Sequence, residues 1–150
     1  MAAVLIRDGH IAYHKEIGYA DLDARVLIVR DTQFLLGSMT RQFTAMAIMI
    51  LSEHGKLRFD DTLAKFCPEF PAYARRITIR HLLNHTSGLA DYEELLFGGK
   101  VDYDKLFQSS KSTRTPHEFT SAEALAILSK RPTLRFAPGT KWEYSNSGTN

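Results

Sequence analysis

FLLGSMTRQFTAMAIMILSEHGKLRFDD, Phe34 to Asp61, decides how the rest of the chain is read. Gly37 lacks a Cβ, so the chain can bend sharply there after the short apolar approach Asp31 to Leu36. From Ser38 to about His54 the pattern predicts a helix, closed by Gly55 as its C′ residue. The middle of that helix, AMAIMIL, is apolar on every side, and a helix with no wet face is expected to be central and buried. Thr40, Arg41, Gln42 and Thr44 crowd its first two turns, so the polar end is the one that can line a site. A serine at a helix start is commonly an N-cap. The same place also gathers backbone N–H groups and the positive end of the helix dipole, which favour developing negative charge.

Upstream, Ala3 to Arg7 and His10 to Tyr19 read as two β-prone runs joined at Asp8-Gly9, a dipeptide preferred in two-residue hairpin turns. Downstream, Lys56 to Pro71 reads as a loop containing a short helix start at Asp60-Asp61-Thr62-Leu63. Thr78 then N-caps a helix over Ile79 to His85 that ends at Ser87-Gly88. Gly98 to Thr120, rich in Ser, Thr, Lys and Asp, reads as a long surface excursion. Ser121 caps an amphipathic helix with Ala124, Leu125 and Leu128 at helical spacing, and Pro132 lies just beyond it. A Pro-Gly turn at Pro138-Gly139 leads into Tyr144, Ser145 and Asn146. A lone hairpin is marginal in water and a stable sheet needs three or more strands, so the chain is expected to be an incomplete domain.

Composition narrows the function. The chain has 150 residues, 44% hydrophobic and 24% charged, which is ordinary for a globular protein. Nineteen Lys and Arg against seventeen Asp and Glu leave a net charge of +2 with no basic stripe, so nucleic acid is not an expected partner. Arg75-Arg76 and Lys130-Arg131 read as solvated pairs. The single cysteine, Cys67, reads as a small packing residue. No apolar run approaches the ~20 residues of a membrane helix, and no charged-then-apolar leader opens the sequence as written. His81 and His85 are four apart, but Leu82, Leu83 and Asn84 between them include no glutamate, so no metal site is expected. Asp60-Asp61 and Glu93-Glu94 read as capping or solvated charge, and Trp142 and Tyr92 as packing aromatics.

Three separated strings, FLLGSMTRQFTAMAIMILSEHGKLRFDD, ITIRHLLNHTSGLADY and FAPGTKWEYSNSG, together resemble the serine β-lactamase and penicillin-binding-protein superfamily, especially its class C and esterase-like branch. That family carries S-x-x-K, then Y-x-N, then a strand motif of the K-T-G or H-x-G type. Ser38-Met39-Thr40-Arg41 stands at the first motif and Tyr144-Ser145-Asn146 at the second; the third is not present. The resemblance implies an α+β fold, an antiparallel sheet flanked by helices with a helical lobe. Residues 1–36 would supply the N-terminal hairpin of the sheet, and 37–150 the central helix and lobe. It implies a serine hydrolase acting on an amide or ester, with a β-lactam, a D-Ala peptide or a simple ester as the small-molecule or peptide substrate. Ser38 would form the acyl-enzyme, Tyr144 would take part in proton transfer and Asn146 would orient the substrate. No cofactor or metal is implied. Family members are often exported from bacterial cells.

The departure is Arg41, which occupies the lysine position. A neutral lysine can take the serine's proton, but a guanidinium stays protonated in proteins and cannot. Losing a general base typically costs ~10²–10⁴-fold in rate. Two outcomes follow. Either Tyr144 accepts the proton and Arg41 supplies only charge, or the site has become a binding site for a carboxylate or peptide, which the planar fork of arginine suits. An oxyanion hole lacking one of its donors loses a further ~10²–10³-fold, so the 150 residues alone are expected to be close to inert.

Overall fold

The computed structural model describes residues 1–99 and 120–149. It forms two compact units, Met1–Ser38 and Met39–Asn150. The architecture is α+β, as expected, with short antiparallel sheets in the first unit and helices in the second. The expected excursion Gly98 to Thr120 lies almost wholly outside the described residues.

In the first unit β1 (Ala2–Arg7) pairs antiparallel with β2 (His10–Glu16). Asp8 (φ 52°) and Gly9 (φ 76°) both sit in the left-handed region, as a two-residue type I′ turn requires. The second β-prone run breaks where the sequence reading kept it whole. Gly18 at φ 88° turns the chain, and Tyr19–Asp21 becomes β3, paired with β4 (Val26–Leu27). The result is a pair of two-stranded sheets, and their apolar residues, Val4, Ile6 and Ile11 among them, stay exposed.

The second unit opens with α1 (Thr40–Glu53), preceded by the 3-10 turn Gly37–Met39 that bridges the boundary in sequence. The expectation of a wholly buried helix is corrected: none of its residues is buried. Partial cover falls on Arg41, Thr44, Ala45, Ile48 and Ser52, which share one helix face, while Phe43 (61% exposed), Met46, Met49 and Ile50 are open. Apolar composition shows that a helix suits cover on every side. Among the described residues that cover reaches one side only.

α2 (Leu63–Phe66), the 3-10 turn Ala72–Arg75, α3 (Ile79–Leu83), α4 (Tyr92–Phe97) and α5 (Ser121–Ser129) close around Leu63, Phe70, Ala74, Ile77, Leu89 and Leu128. Cys67 packs on the edge of this cluster, in keeping with its expected role. Leu63 N donates to Ile77 O and Ile79 N to Asp61 O, flanking a bridge between Thr62 and Thr78. Thr78 caps α3 as predicted, in a box with His81: Thr78 Oγ1 accepts from His81 N, and His81 Nδ1 accepts from Thr78 N. The helix ends earlier than expected, because His85 turns left-handed at φ 56°. α5 is capped by Thr120, one residue before the expected Ser121. No described helix is long and apolar enough to cross a membrane.

Candidate active site

Two segments of the second unit, His85–Tyr92 and Glu143–Ser147, are joined by hydrogen bonds at both ends. Glu143 N donates to His85 O (3.0 Å) and Ser145 N to His85 Nδ1 (3.4 Å). Asn146 N donates to Asp91 Oδ2 (2.7 Å). Ser147 Oγ donates to Ala90 O (2.6 Å) and accepts from Tyr92 N (2.9 Å). Outside this seam, Arg135 N donates to Gly88 O and Gly139 N to Thr86 O. Arg135 pairs with both Glu94 and Glu143, tying α4 to the same strip of chain.

Two glycines permit the close approach. A Cβ on Gly88, already at φ +75°, would lie 2.2 Å from Phe136 O, and one on Gly148 would lie 2.6 Å from Leu82 O. Neither backbone oxygen can retreat cheaply, so the turn Asn146–Gly148 seats on the end of α3 only without a side chain there.

Into this frame α1 projects Arg41. Its Nη2 donates to Asn146 Oδ1, and its guanidinium carbon stands 5.2 Å from the centroid of the Tyr144 ring, in cation–π range. Because an arginine can only donate, this bond fixes which end of the Asn146 amide faces it. Tyr144 also lies against His85, ring centroids 4.7 Å apart and 30° from parallel. Arg41 Nε is buried without a hydrogen-bond partner, and no ion pair involves Arg41 among the described residues.

Burial moves His85 and Tyr92, two ionisable groups near this cation, towards their neutral forms. Burial, with the Arg41 charge second, pushes the His85 pKa below the free-imidazole value. Its Nδ1 accepts a backbone N–H, which a protonated nitrogen cannot do. Burial is also the largest cause of the raised Tyr92 pKa, reinforced by Glu93 and opposed by Arg41.

Arg41, Tyr144 and Asn146, expected to act together from motifs a hundred positions apart, thus meet in the second unit. Ser38 is the last residue of the first unit, in the turn Gly37–Met39, where Gly37 has φ 54°. The N-cap of α1 is Met39, with no side-chain cap bond.

A family model described as Beta-lactamase matches residues 1–150. The chain belongs to that family. It is 38% identical over 148 residues to esterase EstB of Burkholderia gladioli, covering 95% of this chain and 36% of the esterase. It is 33% identical over 142 residues to penicillin-binding protein 4* of Bacillus subtilis, covering 93% of this chain and 28% of that protein. Among solved structures, a penicillin-binding protein from Bacillus halodurans superposes with a TM-score of 0.75 at 29% identity, covering 98% of this chain and 42% of that one. The chain therefore spans about a third of the length of these curated relatives. The Beta-lactamase family to which it belongs is one of serine hydrolases.

Three residues of this site in the β-lactamase-family chain escaped the sequence reading. Asp91 is buried and caps α4 through Glu93 N (2.9 Å) while holding Asn146. An Asp followed by Glu93 and Glu94 is a helix-start signal and could have revealed it. His85, expected to hold no metal and given no role in the site, packs on Tyr144. The partners of the Ser147 hydroxyl lie 55 and 57 residues away, so no local signal marks its side chain. Trp142, expected to pack, is 64% exposed and makes a T-shaped contact with the His85 ring, 6.3 Å between centroids.

Proposed function

We propose that the full-length protein carrying this chain is a serine hydrolase that opens an ester or amide through an acyl-Ser38 intermediate. Ser38 Oγ attacks the carbonyl carbon and its proton passes to the Tyr144 oxygen, while the Tyr144 hydroxyl hands its own proton to the leaving alcohol or amine. Water then attacks the acyl group, and its proton returns to Ser38 Oγ by the same hydroxyl. Arg41 holds charge beside the developing oxyanion and does not act as the base. Asn146, its oxygen turned to Arg41, presents its NH₂ end to the substrate's own amide carbonyl.

The observation that supports this reading is the Arg41 guanidinium set between Asn146 Oδ1 and the Tyr144 ring. Kinship to an esterase and a penicillin-binding protein supports an acyl substrate. The test is hydrolysis of p-nitrophenyl butyrate by the full-length protein, with loss in Ser38→Ala; equal rates in both would reject it.

A second reading has its own support in Arg41, whose Nε lacks an acceptor and whose charge meets no acidic side chain among the described residues. In that reading the site binds a carboxylate without turning anything over. Saturable binding of benzoate but not benzamide, lost in Arg41→Gln, together with no ester hydrolysis, would favour it.

A further inference from the structure

We infer that Asp91 is a positioning residue of the site, fixing Asn146 so that its side chain can serve Arg41 and the substrate together. The inference rests on the hydrolase reading only for what Asn146 then does; the placement of Asn146 by Asp91 stands apart from it.

An aspartate at a helix N-cap needs one oxygen for that task. Asp91 uses Oδ1 for it, accepting from Glu93 N at 2.9 Å. The other oxygen, Oδ2, accepts from Asn146 N at 2.7 Å, across 55 residues of sequence. Asp91 is only 6% exposed, so water is a poor substitute for either partner. Its neighbours on both sides are clamped to the same turn, Ala90 O and Tyr92 N each bonding Ser147 Oγ. Asp91 therefore cannot shift without carrying Asn146 and Ser147 with it.

The next link is Asn146 itself, whose Oδ1 accepts from Arg41 Nη2 on α1. The chain of contacts runs from the start of α4, through the two oxygens of one carboxylate, to the backbone of Asn146, and by its side chain to the guanidinium on Tyr144. A charge-assisted bond at the backbone end leaves little play at the side-chain end. If a helix cap were all that was needed, a serine would do as well. The second oxygen is what distinguishes Asp91.

Asp91→Ser keeps a good N-cap but leaves Asn146 N without its acceptor. Asp91→Asn offers one oxygen and one NH₂ to two N–H groups, so it can serve either partner and not both; it is the second variant should the serine form fail to fold. In the full-length protein, residue-resolved hydrogen–deuterium exchange is expected to show Asn146 N–H exchanging at least about tenfold faster in Asp91→Ser, with Ile77 unchanged. The second readout is kcat/KM for two esters, p-nitrophenyl N-acetylglycinate, which carries an amide, and p-nitrophenyl butyrate, which does not. The amide-bearing ester is expected to lose at least about tenfold more than the plain one, with no further loss when Asn146→Ala is added. Unchanged exchange at Asn146, or equal losses for both esters, would overturn the inference. Turnover of neither ester by the wild-type protein would sink the hydrolase reading, and the exchange arm would still decide whether Asp91 holds Asn146.

Discussion

The guanidinium of Arg41 lies against the ring of Tyr144, 5.2 Å from carbon to centroid, with Asn146 Oδ1 accepting from its Nη2. One side chain, at the position where the resemblance leads one to expect a lysine, thus meets both Tyr144 and Asn146. A guanidinium stays protonated in proteins, so Arg41 brings a permanent cation to these two residues.

Arg41→Lys in the full-length protein restores an amine that can lose a proton, and is expected to raise kcat on p-nitrophenyl butyrate by about 10- to 100-fold. Steady-state kinetics at pH 7–8 measure it. An unchanged or reduced kcat would mean that the guanidinium's grip on Asn146 matters more than the missing base.

His85 offers a pH-dependent check. Its pKa is depressed from 6.5 by burial first and by Arg41 second. A histidine depressed in the folded state contributes stability that is fully present above pH 6.5 and is lost as pH falls from there through the folded value. Ring-proton NMR titration is expected to place His85 below the usual imidazole range, and Arg41→Gln to move it upward. A His85 titrating at or above the free value would contradict the packing of His85 on Tyr144.

Gly148 tests the seat of the site. In Gly148→Ala the new methyl meets Leu82 O at 2.6 Å, whereas Gly99→Ala places its methyl in open space. Denaturant melts are expected to show a loss of about 1–3 kcal/mol for the first and within ~0.5 kcal/mol for the second. Equal values would mean that the turn Asn146–Gly148 is not held against α3.

Local chemistry made much of this readable in advance. Asp8-Gly9 demanded left-handed residues and took them, Thr78 found a helix to cap, and Arg41 meets Tyr144 and Asn146 from a hundred positions away. Other features depend on partners that no window of sequence contains. The apolar run of α1 expressed a need for cover, but cover is supplied by other parts of a fold. The strand run through Tyr19 hid a glycine whose positive φ divides it. Asp91 looked like one acidic residue among several, because its second partner is 55 positions away. Trp142 carried the composition of a packing residue, yet it is 64% exposed.

The most direct measurement is intact-protein and peptide mass spectrometry of the full-length protein after exposure to a slowly deacylating ester or a β-lactam. The account predicts one acyl adduct, mapped to Ser38, absent in Ser38→Ala and slowed in Tyr144→Phe. An adduct on any other residue, or none under conditions where the ester is consumed, would contradict it.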